Sequence, residues 1–201
     1  MFIIGITGGS GAGKTSALRA LESLGALVLD CDAIYHELLL DNEELKAELA
    51  DRFSGVLRDG EIDRKRLGEI VFTIPSALLD LNKITHKYVG DEIQNRLSNW
   101  LEKGGRIAAI DAIALFDSGR SEMCNVVVGV TAPREMRIAR IMSRDSIPRE
   151  QAELRINAQK PDSFYAAHCD YMLEGIYDTQ QKFEEECKVF FKMLISGVIK
   201  K

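Results

Sequence analysis

The sequence lacks the features expected of secreted, disulfide-bonded or membrane-spanning proteins. Its four cysteines are widely spaced, with no Cys-x-x-Cys pair and no histidine cluster beside them. This spacing argues against a disulfide framework or a zinc site, so we expect reduced and mostly buried thiols. No apolar run is long enough to span a bilayer, and the apolar N-terminal residues are too few for a signal peptide. We therefore predict a soluble cytoplasmic protein.

The chain also lacks an excess of basic residues. Its 201 residues carry a formal net charge of −5. General binding to nucleic acid or to anionic membranes favours a basic surface, so we predict neither as a partner. There is no internal repeat, low-complexity tract or linker, and this length suits one domain with insertions. The sequence does not indicate an oligomeric state.

What the sequence does contain is a glycine-rich segment between a predicted strand and a predicted helix. Residues 2–7 form a short apolar run typical of a buried parallel strand, and residues 14–24 have helical spacing. Between them the chain fits the phosphate-binding pattern G-x-x-x-x-G-K-[ST]. The backbone N–H groups of such a loop bind nucleotide phosphates, the lysine reaches the β- and γ-phosphates, and the threonine hydroxyl binds Mg²⁺. The predicted nucleotide-binding residues are Gly8, Gly9, Ser10, Gly11, Ala12, Gly13, Lys14, Thr15 and Ser16.

Two aspartates are predicted to follow core strands. Asp32 comes shortly after an apolar run over residues 26–29, and Asp111 ends a run over residues 106–111. Carboxyl ends of parallel strands form the ligand crevice, where Asp111 would suit a Mg²⁺ ligand. Asp32 is equally well explained as a helix cap, and Asp111 as a polar residue in a turn.

The remaining pattern predicts alternating strands and helices. Residues 34–103 are predicted to form an all-helical insertion that ends with an amphipathic helix over 91–103. The other predicted elements are strands over 125–131 and 168–173, helices opened by Pro133 and Pro148, and a closing helix over 179–196. Strands that alternate with helices predict a parallel, doubly wound α/β fold.

Five arginines fall on the two helices that follow Pro133 and Pro148. Solvated helix faces with i, i+4 ion pairs to Glu135 or Glu153 explain them without any function. Phosphoryl transfer, however, needs cations around the phosphate oxygens, and an arginine-bearing helical hairpin would serve as a lid. We expect most to be surface residues and one or two to be functional. The five are Arg137, Arg140, Arg144, Arg149 and Arg155.

Two classes of nucleotide-binding protein that carry this phosphate-binding loop, GTPases and large ATPases, do not match the rest of the sequence. Residues 82–85 begin like the guanine-recognition motif of GTPases but end in threonine and lie inside the helical insertion. The pattern also argues against a large mechanochemical ATPase, because 201 residues are few for that class and no second partner motif is visible.

Several stretches together resemble the dephospho-CoA kinase family in order and spacing. The most specific are the phosphate loop, the Asp-x-Asp stretch Leu29-Asp-Cys-Asp-Ala-Ile-Tyr-His36, and Asp59-Gly-Glu-Ile-Asp-Arg64. Further matches are Asn82-Lys-Ile-Thr-His86, Asp111-Ala-Ile-Ala-Leu-Phe116, Arg140-Ile-Met-Ser-Arg144 and Ala158-Gln159. The similarity covers nearly the whole chain. Members of this family phosphorylate the ribose 3′-hydroxyl of dephospho-CoA with ATP, the last step of coenzyme A synthesis.

The resemblance implies a three-layer P-loop NTPase fold in a single domain, residues 1–201. It divides into a core over residues 1–35 and 105–201, a helical acceptor-binding insertion over 36–104, and a helical lid over about 140–163. It also implies ATP and dephospho-CoA as substrates and Mg²⁺ as cofactor.

The resemblance further implies a role for each matched residue. Asp32 matches the family's proposed general base. Arg64 and His86 match positions that hold the acceptor, and Arg140 and Arg144 match lid arginines near the phosphates, which makes them catalytic together with Lys14. Thr15 and Asp111 are the expected metal ligands. The chain departs from the family around His86, where the usual Leu-His-Pro reads Thr-His-Lys, and after Asp111.

Two other functions remain compatible with parts of the pattern. A uridine-kinase-like or other small-molecule kinase would carry the same phosphate loop. A non-catalytic nucleotide-dependent switch would also retain it. A panel of phosphoryl acceptors separates the kinases, and ATP turnover without an acceptor would favour the switch.

Overall fold

The computed structural model describes residues 1–177 and 179–199, and within it the chain divides into two units. The first unit comprises Met1–Leu29 and Trp100–Lys201, and the second comprises Asp30–Asn99. The predicted insertion, residues 36–104, covers most of the second unit. The predicted core includes residues 178, 200 and 201, which lie outside the described part of the chain.

The strands are short and the helices are of mixed length. In chain order the strands are β1 (Phe2–Thr7), β2 (Leu27–Asp30), β3 (Leu57–Arg58), β4 (Glu61–Ile62), β5 (Ile107–Asp111), β6 (Val126–Thr131) and β7 (Tyr171–Glu174). The helices are α1 (Lys14–Ser23), α2 (Cys31–Asp41), α3 (Glu43–Arg52), α4 (Arg64–Thr73), α5 (Pro75–Glu102), α6 (Arg134–Asp145), α7 (Arg149–Asn157), α8 (Asp162–His168) and α9 (Gln180–Ile195). A single 3₁₀ turn, Arg120–Met123, precedes β6.

The sheet of the first unit has the order β2-β5-β1-β6-β7. Strand β1 pairs in parallel with both β5 and β6, and β6 pairs in parallel with β7. The strands are rich in Ile, Val and Ala because a parallel sheet is covered on both faces. The predicted parallel α/β fold is confirmed.

Helices α1 and α9 pack against each other over the strands β1 and β6. Ile4, Ile6 and Val128 of the sheet are fully buried in this core. Helix α1 contributes residues at helical spacing and α9 contributes aromatic rings, the buried side chains being Ala17, Ala20, Leu21, Phe183 and Phe191. The N-terminal and C-terminal ends of the chain thus share one core.

Helices α6 and α7 carry a small core of their own in the first unit. Ile138 and Ile141 of α6 are buried against Ala152 and Ile156 of α7. The buried residues are three apart on α6 and four apart on α7, so each pair lies on one face of its helix, and these faces hold the two helices together as a hairpin.

The second unit has a separate core, but it is not all-helical as predicted. Its buried residues come from helices α2 to α5 and from the segment between α3 and α4, and include Leu45, Leu49, Phe53, Ile62 and Leu67. Strands β3 and β4 form an antiparallel hairpin, because Asp59 and Gly60 both have positive φ, 51° and 82°. These are the backbone angles that close a two-residue hairpin. Each strand has only two residues.

Two other predictions need correction. The last strand begins at Tyr171, whereas the prediction began it at His168. His168 instead ends helix α8, an element that the sequence analysis did not predict. The helix predicted over residues 91–103 is the end of α5, which has 28 residues. None of the helices in the described ranges combines the length and the hydropathy needed to cross a membrane.

Candidate active site

The glycine-rich loop joins the end of β1 to the start of α1. Gly13 precedes the first residue of α1 with a φ of 113°, a left-handed conformation that favours glycine. The Ser16 N–H donates to the Gly13 carbonyl at 3.0 Å, and the Ala12 N–H donates to the Gly9 carbonyl at 3.2 Å. The loop therefore feeds directly into a helix N-terminus, where backbone N–H groups favour an anion.

Lys14 curls back across this loop. Its Nζ donates a hydrogen bond to the Gly8 carbonyl at 3.1 Å. The ammonium group thus lies over the loop, as expected for a cation that meets nucleotide phosphates.

Two hydroxyl groups follow Lys14 in the first turn of α1. The Thr15 side chain is exposed, whereas Ser16 is buried. Among the described residues, none makes a hydrogen bond with the Ser16 Oγ. A buried hydroxyl usually has a partner, so this group is available to a ligand at the loop.

Asp111 lies at the end of β5, on the strand beside β1. It pairs in register with Ile6, and the Ala112 N–H donates to the Ile6 carbonyl at 3.2 Å. The glycine-rich loop leaves β1 only two residues after Ile6. Asp111 and the loop therefore share one edge of the sheet, as the sequence predicts.

The structure overturns the cap interpretation of Asp32. The Asp30 carboxylate, not that of Asp32, caps helix α2, and it accepts hydrogen bonds from the N–H groups of Asp32 and Ala33 at 2.9 and 3.1 Å. Asp32 lies in the first turn of the helix and is exposed. Its carboxylate is therefore not used in capping.

The two predicted acceptor residues lie in the second unit. Arg64 begins α4, where Asp63 caps the helix by accepting from the Arg66 N–H at 2.9 Å. The Arg64 Nη2 lies 3.4 Å from the His36 Nε2. His86 is half-buried on α5, one turn after Asn82.

The two predicted lid arginines have different environments. Arg140 donates from Nη1 to the Gly11 carbonyl at 3.0 Å and from Nη2 to the Gly175 carbonyl at 2.7 Å. Its guanidinium carbon lies 4.1 Å from the ring centroid of Tyr177, so a cation–π contact holds it as well. Arg144 is exposed and bonds to Asp145 through Nε and Nη2 at 2.7 and 2.9 Å.

The other arginines of this hairpin form ion pairs. Arg149 pairs with Glu135 and with Glu153, the latter four residues away, which confirms the surface interpretation for this residue. Arg155 pairs with Asp145. The Arg144 and Arg155 hydrogen bonds hold the pKa of Asp145 at about 2.

Two residues outside the predicted site contact the glycine-rich loop. Arg137 and Gln159 both bond to Ser10. The sequence signals for them are slight, because Arg137 is one of several arginines at helical spacing and Gln159 is part of the two-residue match Ala158-Gln159.

Cys124, Cys169 and Cys187 are not activated thiols. Burial raises the pKa of Cys124 and of Cys187 to about 12 and that of Cys169 to about 11. A nucleophilic cysteine needs a lowered pKa, so covalent catalysis through these thiols is excluded.

Comparison with known proteins gives a consistent result. The sequence model of the dephospho-CoA kinase family matches residues 2–180. The dephospho-CoA kinase of Dehalococcoides mccartyi is 39% identical over 165 residues, which cover 81% of this chain and 83% of that protein. The dephospho-CoA kinase of Geobacter sulfurreducens is 35% identical over 177 residues, which cover 87% of this chain and 90% of that protein.

Solved structures agree with the sequence comparison. The crystal structure of TT1252 from Thermus thermophilus superposes with a TM-score of 0.82 at 28% identity and covers 99% of this chain and 98% of that one. Dephospho-CoA kinase from Campylobacter jejuni gives 0.70 at 25% identity and covers 98% of each chain. Shikimate kinase from Acinetobacter baumannii gives 0.55 at 15% identity and covers 100% of this chain and 96% of that one, which shows a shared fold.

Proposed function

The chain belongs to the dephospho-CoA kinase family, and on that premise we propose that it transfers the γ-phosphoryl group of ATP to the ribose 3′-hydroxyl of dephospho-CoA. The products are coenzyme A and ADP. The observation that carries this proposal is the glycine-rich loop after β1, crossed by Lys14 and adjacent to Asp111 on the neighbouring strand. We place the reaction in the cytoplasm, with small molecules and not nucleic acid as partners.

The loop and the start of α1 bind the phosphates of ATP. Backbone N–H groups and the helix N-terminus meet the phosphate oxygens, and Lys14 gives up the Gly8 carbonyl to pair with the β- and γ-phosphates. The buried Ser16 hydroxyl, without a protein partner among the described residues, donates to a phosphate oxygen.

Thr15 and Asp111 hold Mg²⁺. Both offer oxygen donors, which Mg²⁺ prefers, and Mg²⁺ in kinases needs only one or two protein ligands because water and substrate phosphates supply the rest. Among the described residues there is no group of three or more His, Cys, Asp or Glu side chains that would form a larger cage. When bound, the ion neutralises charge that develops on the β- and γ-phosphates.

Asp32 orients the ribose hydroxyl and accepts its proton. The 3′-oxygen forms a bond to the γ-phosphorus as the bond from that phosphorus to the β–γ bridging oxygen breaks, and ADP leaves. Asp32 suits this role because it is exposed and because Asp30 performs the capping. Arg64 and His86 hold the acceptor.

Arg140 and Arg144 stabilise the negative charge of the transition state. Arg140 is held beside the loop through Gly11, and Arg144 lies one turn further along α6, exposed and free to exchange Asp145 for a phosphate oxygen.

Product analysis tests this proposal. The protein is incubated with ATP, Mg²⁺ and dephospho-CoA, and the product mass is measured. We expect a product heavier than dephospho-CoA by one phosphoryl group, at the 3′ position. Uridine and other small alcohols, tested in parallel, should not be phosphorylated. Transfer to one of them but not to dephospho-CoA, or ATP hydrolysis unaffected by any acceptor, would refute the assignment.

A further inference from the structure

Ser10, in the middle of the phosphate-binding loop, makes three hydrogen bonds with two side chains that are distant in sequence, those of Arg137 and Gln159. The Ser10 N–H donates to the Gln159 Oε1 at 2.9 Å, and the Gln159 Nε2 donates to the Ser10 Oγ at 2.7 Å. The Arg137 Nε donates to the Ser10 carbonyl at 2.9 Å. All three polar groups of Ser10 are therefore engaged within the protein, and its N–H is not directed at a ligand.

Arg137 is buried, although it carries a charge. Its side chain is 5% exposed. Besides Ser10, its guanidinium donates to the Asp162 Oδ1 at 3.1 Å and to the Gln159 Oε1 at 3.2 Å. A buried cation is costly unless it is paired and hydrogen-bonded, and here every nitrogen of the group has a partner. The group thus joins α6, the segment between α7 and α8, and the phosphate loop.

The absence of a side chain at Gly9 leaves the space that this guanidinium occupies. A Cβ at Gly9 would lie well inside van der Waals distance of the Arg137 Nη2 and would also contact the Gln159 Oε1. The glycine is therefore needed to make room for Arg137 next to the loop.

We propose that Arg137 and Gln159 are positioning residues for the nucleotide: by fixing Ser10 they set the curvature of the loop, so that the neighbouring N–H groups converge on the phosphates. Glycine-rich loops lose much conformational entropy when they are ordered, and a loop that is already ordered binds more tightly. This inference rests on the proposed function only in taking a nucleoside triphosphate as the ligand.

Equilibrium binding of ATP in the absence of any acceptor tests this inference. Arg137→Met and Gln159→Leu each remove contacts to Ser10, and the second does so without a change of charge. We expect each to raise the Kd of ATP about tenfold or more. The matched control is Arg149→Met, which removes an exposed arginine of the same helical hairpin that pairs with Glu135 and Glu153. Its Kd should stay within about twofold of wild type.

Further variants separate positioning from charge and from general stability. Arg137→Lys keeps the charge but not the planar fork, so it should bind ATP nearly as weakly as Arg137→Met. The double variant Arg137→Met/Gln159→Leu should lose less than the sum of the two single effects, because both act on Ser10. In turnover, the KM for ATP should rise while the KM for dephospho-CoA changes little.

The outcomes are distinct. If Arg137→Lys binds ATP as tightly as wild type, the positive charge of Arg137 explains its effect on ATP binding, and the positioning role is refuted. Lower melting temperatures with a wild-type Kd for ATP in Arg137→Met and Gln159→Leu would reduce both residues to structural ones and overturn the inference. If Arg137→Met does not fold, the Kd of Gln159→Leu for ATP tests the inference alone: a rise of about tenfold supports it, and a wild-type value overturns it. Failure of the wild type to make coenzyme A would refute the proposed function, whereas this inference depends on the ATP measurements.

Discussion

The Asp30 carboxylate accepts a hydrogen bond from the backbone N–H of Asp32 at 2.9 Å. Asp30 thereby caps helix α2, and the neighbouring carboxylate of Asp32, two residues later, stays exposed. Only Asp30 therefore caps the helix, and the catalytic role proposed for Asp32 can be measured separately from capping.

Asp32→Asn should reduce kcat by roughly 10²-fold or more, because the amide cannot accept the proton of the ribose hydroxyl. Its melting temperature and ATP affinity should match wild type, since Asp30 still caps the helix. Asp30→Ala is the complementary variant, and it should lower the free energy of unfolding by about 1 kcal/mol. Thermal melting and steady-state kinetics on both variants check this, and a fully active Asp32→Asn protein would remove the catalytic assignment.

Lys14→Ala should lower kcat/KM for ATP by about 10²- to 10³-fold, because it removes a cation from the β- and γ-phosphates. The fold should persist, since within the described part of the chain the Lys14 side chain bonds only to the Gly8 carbonyl. Lys192→Ala on α9 is a control of equal charge at an exposed position. Kinetics with circular dichroism would decide, and near-normal activity of Lys14→Ala would disprove the phosphate-binding role.

Arg144→Ala should lower kcat by on the order of 10³-fold, with a much smaller effect on acceptor binding, because its charge acts in the transition state. Arg155→Ala provides the control, since Arg155 pairs with the same carboxylate, that of Asp145. If the two variants lose activity equally, the ion pair with Asp145 explains the result and Arg144 has no part in catalysis.

Cys124, Cys169 and Cys187 should resist alkylation in the folded protein. Their pKa values are raised by burial to about 12, 11 and 12, so at pH 8 about one in a thousand or fewer is a thiolate. Their reactivity should rise only as the pH approaches 11. Peptide mapping after iodoacetamide treatment measures this, with protein unfolded in denaturant as the control. Equal labelling rates in the folded and unfolded protein would contradict the burial.

The parts of the fold that local sequence controls are the parts that were predicted. Strand β1, Phe2–Thr7, has the predicted bounds, because a short apolar run that leads directly into a glycine-rich segment allows few alternatives. The β3–β4 hairpin was missed because two-residue strands have no periodicity to recognise, although Asp59-Gly60 predicts the turn. Helix α8 has only seven residues, too few for a clear helical pattern.

In the candidate site too, some residues could be predicted from local sequence and others could not. Lys14 and the glycines follow from one continuous motif. The choice between Asp30 and Asp32 as the cap does not, since both residues suit the role and only the position of the helix start decides. Arg137 was grouped with solvated arginines, yet it is buried beside Ile138 on the inner face of α6, and its partner Ser10 is 127 residues away.

The packing of α1 against α9 bears on the order of events during synthesis. Helix α1 and the phosphate loop leave the ribosome well before Phe183 and Phe191, which pack in the same core as α1. Ser10 likewise cannot form its hydrogen bonds with Gln159 until that residue, 149 positions later, has been synthesised. Contacts at such sequence separation form late, because the intervening chain must first be closed. The phosphate loop therefore acquires its binding geometry only after the segments that carry Gln159 and Phe191 have been synthesised.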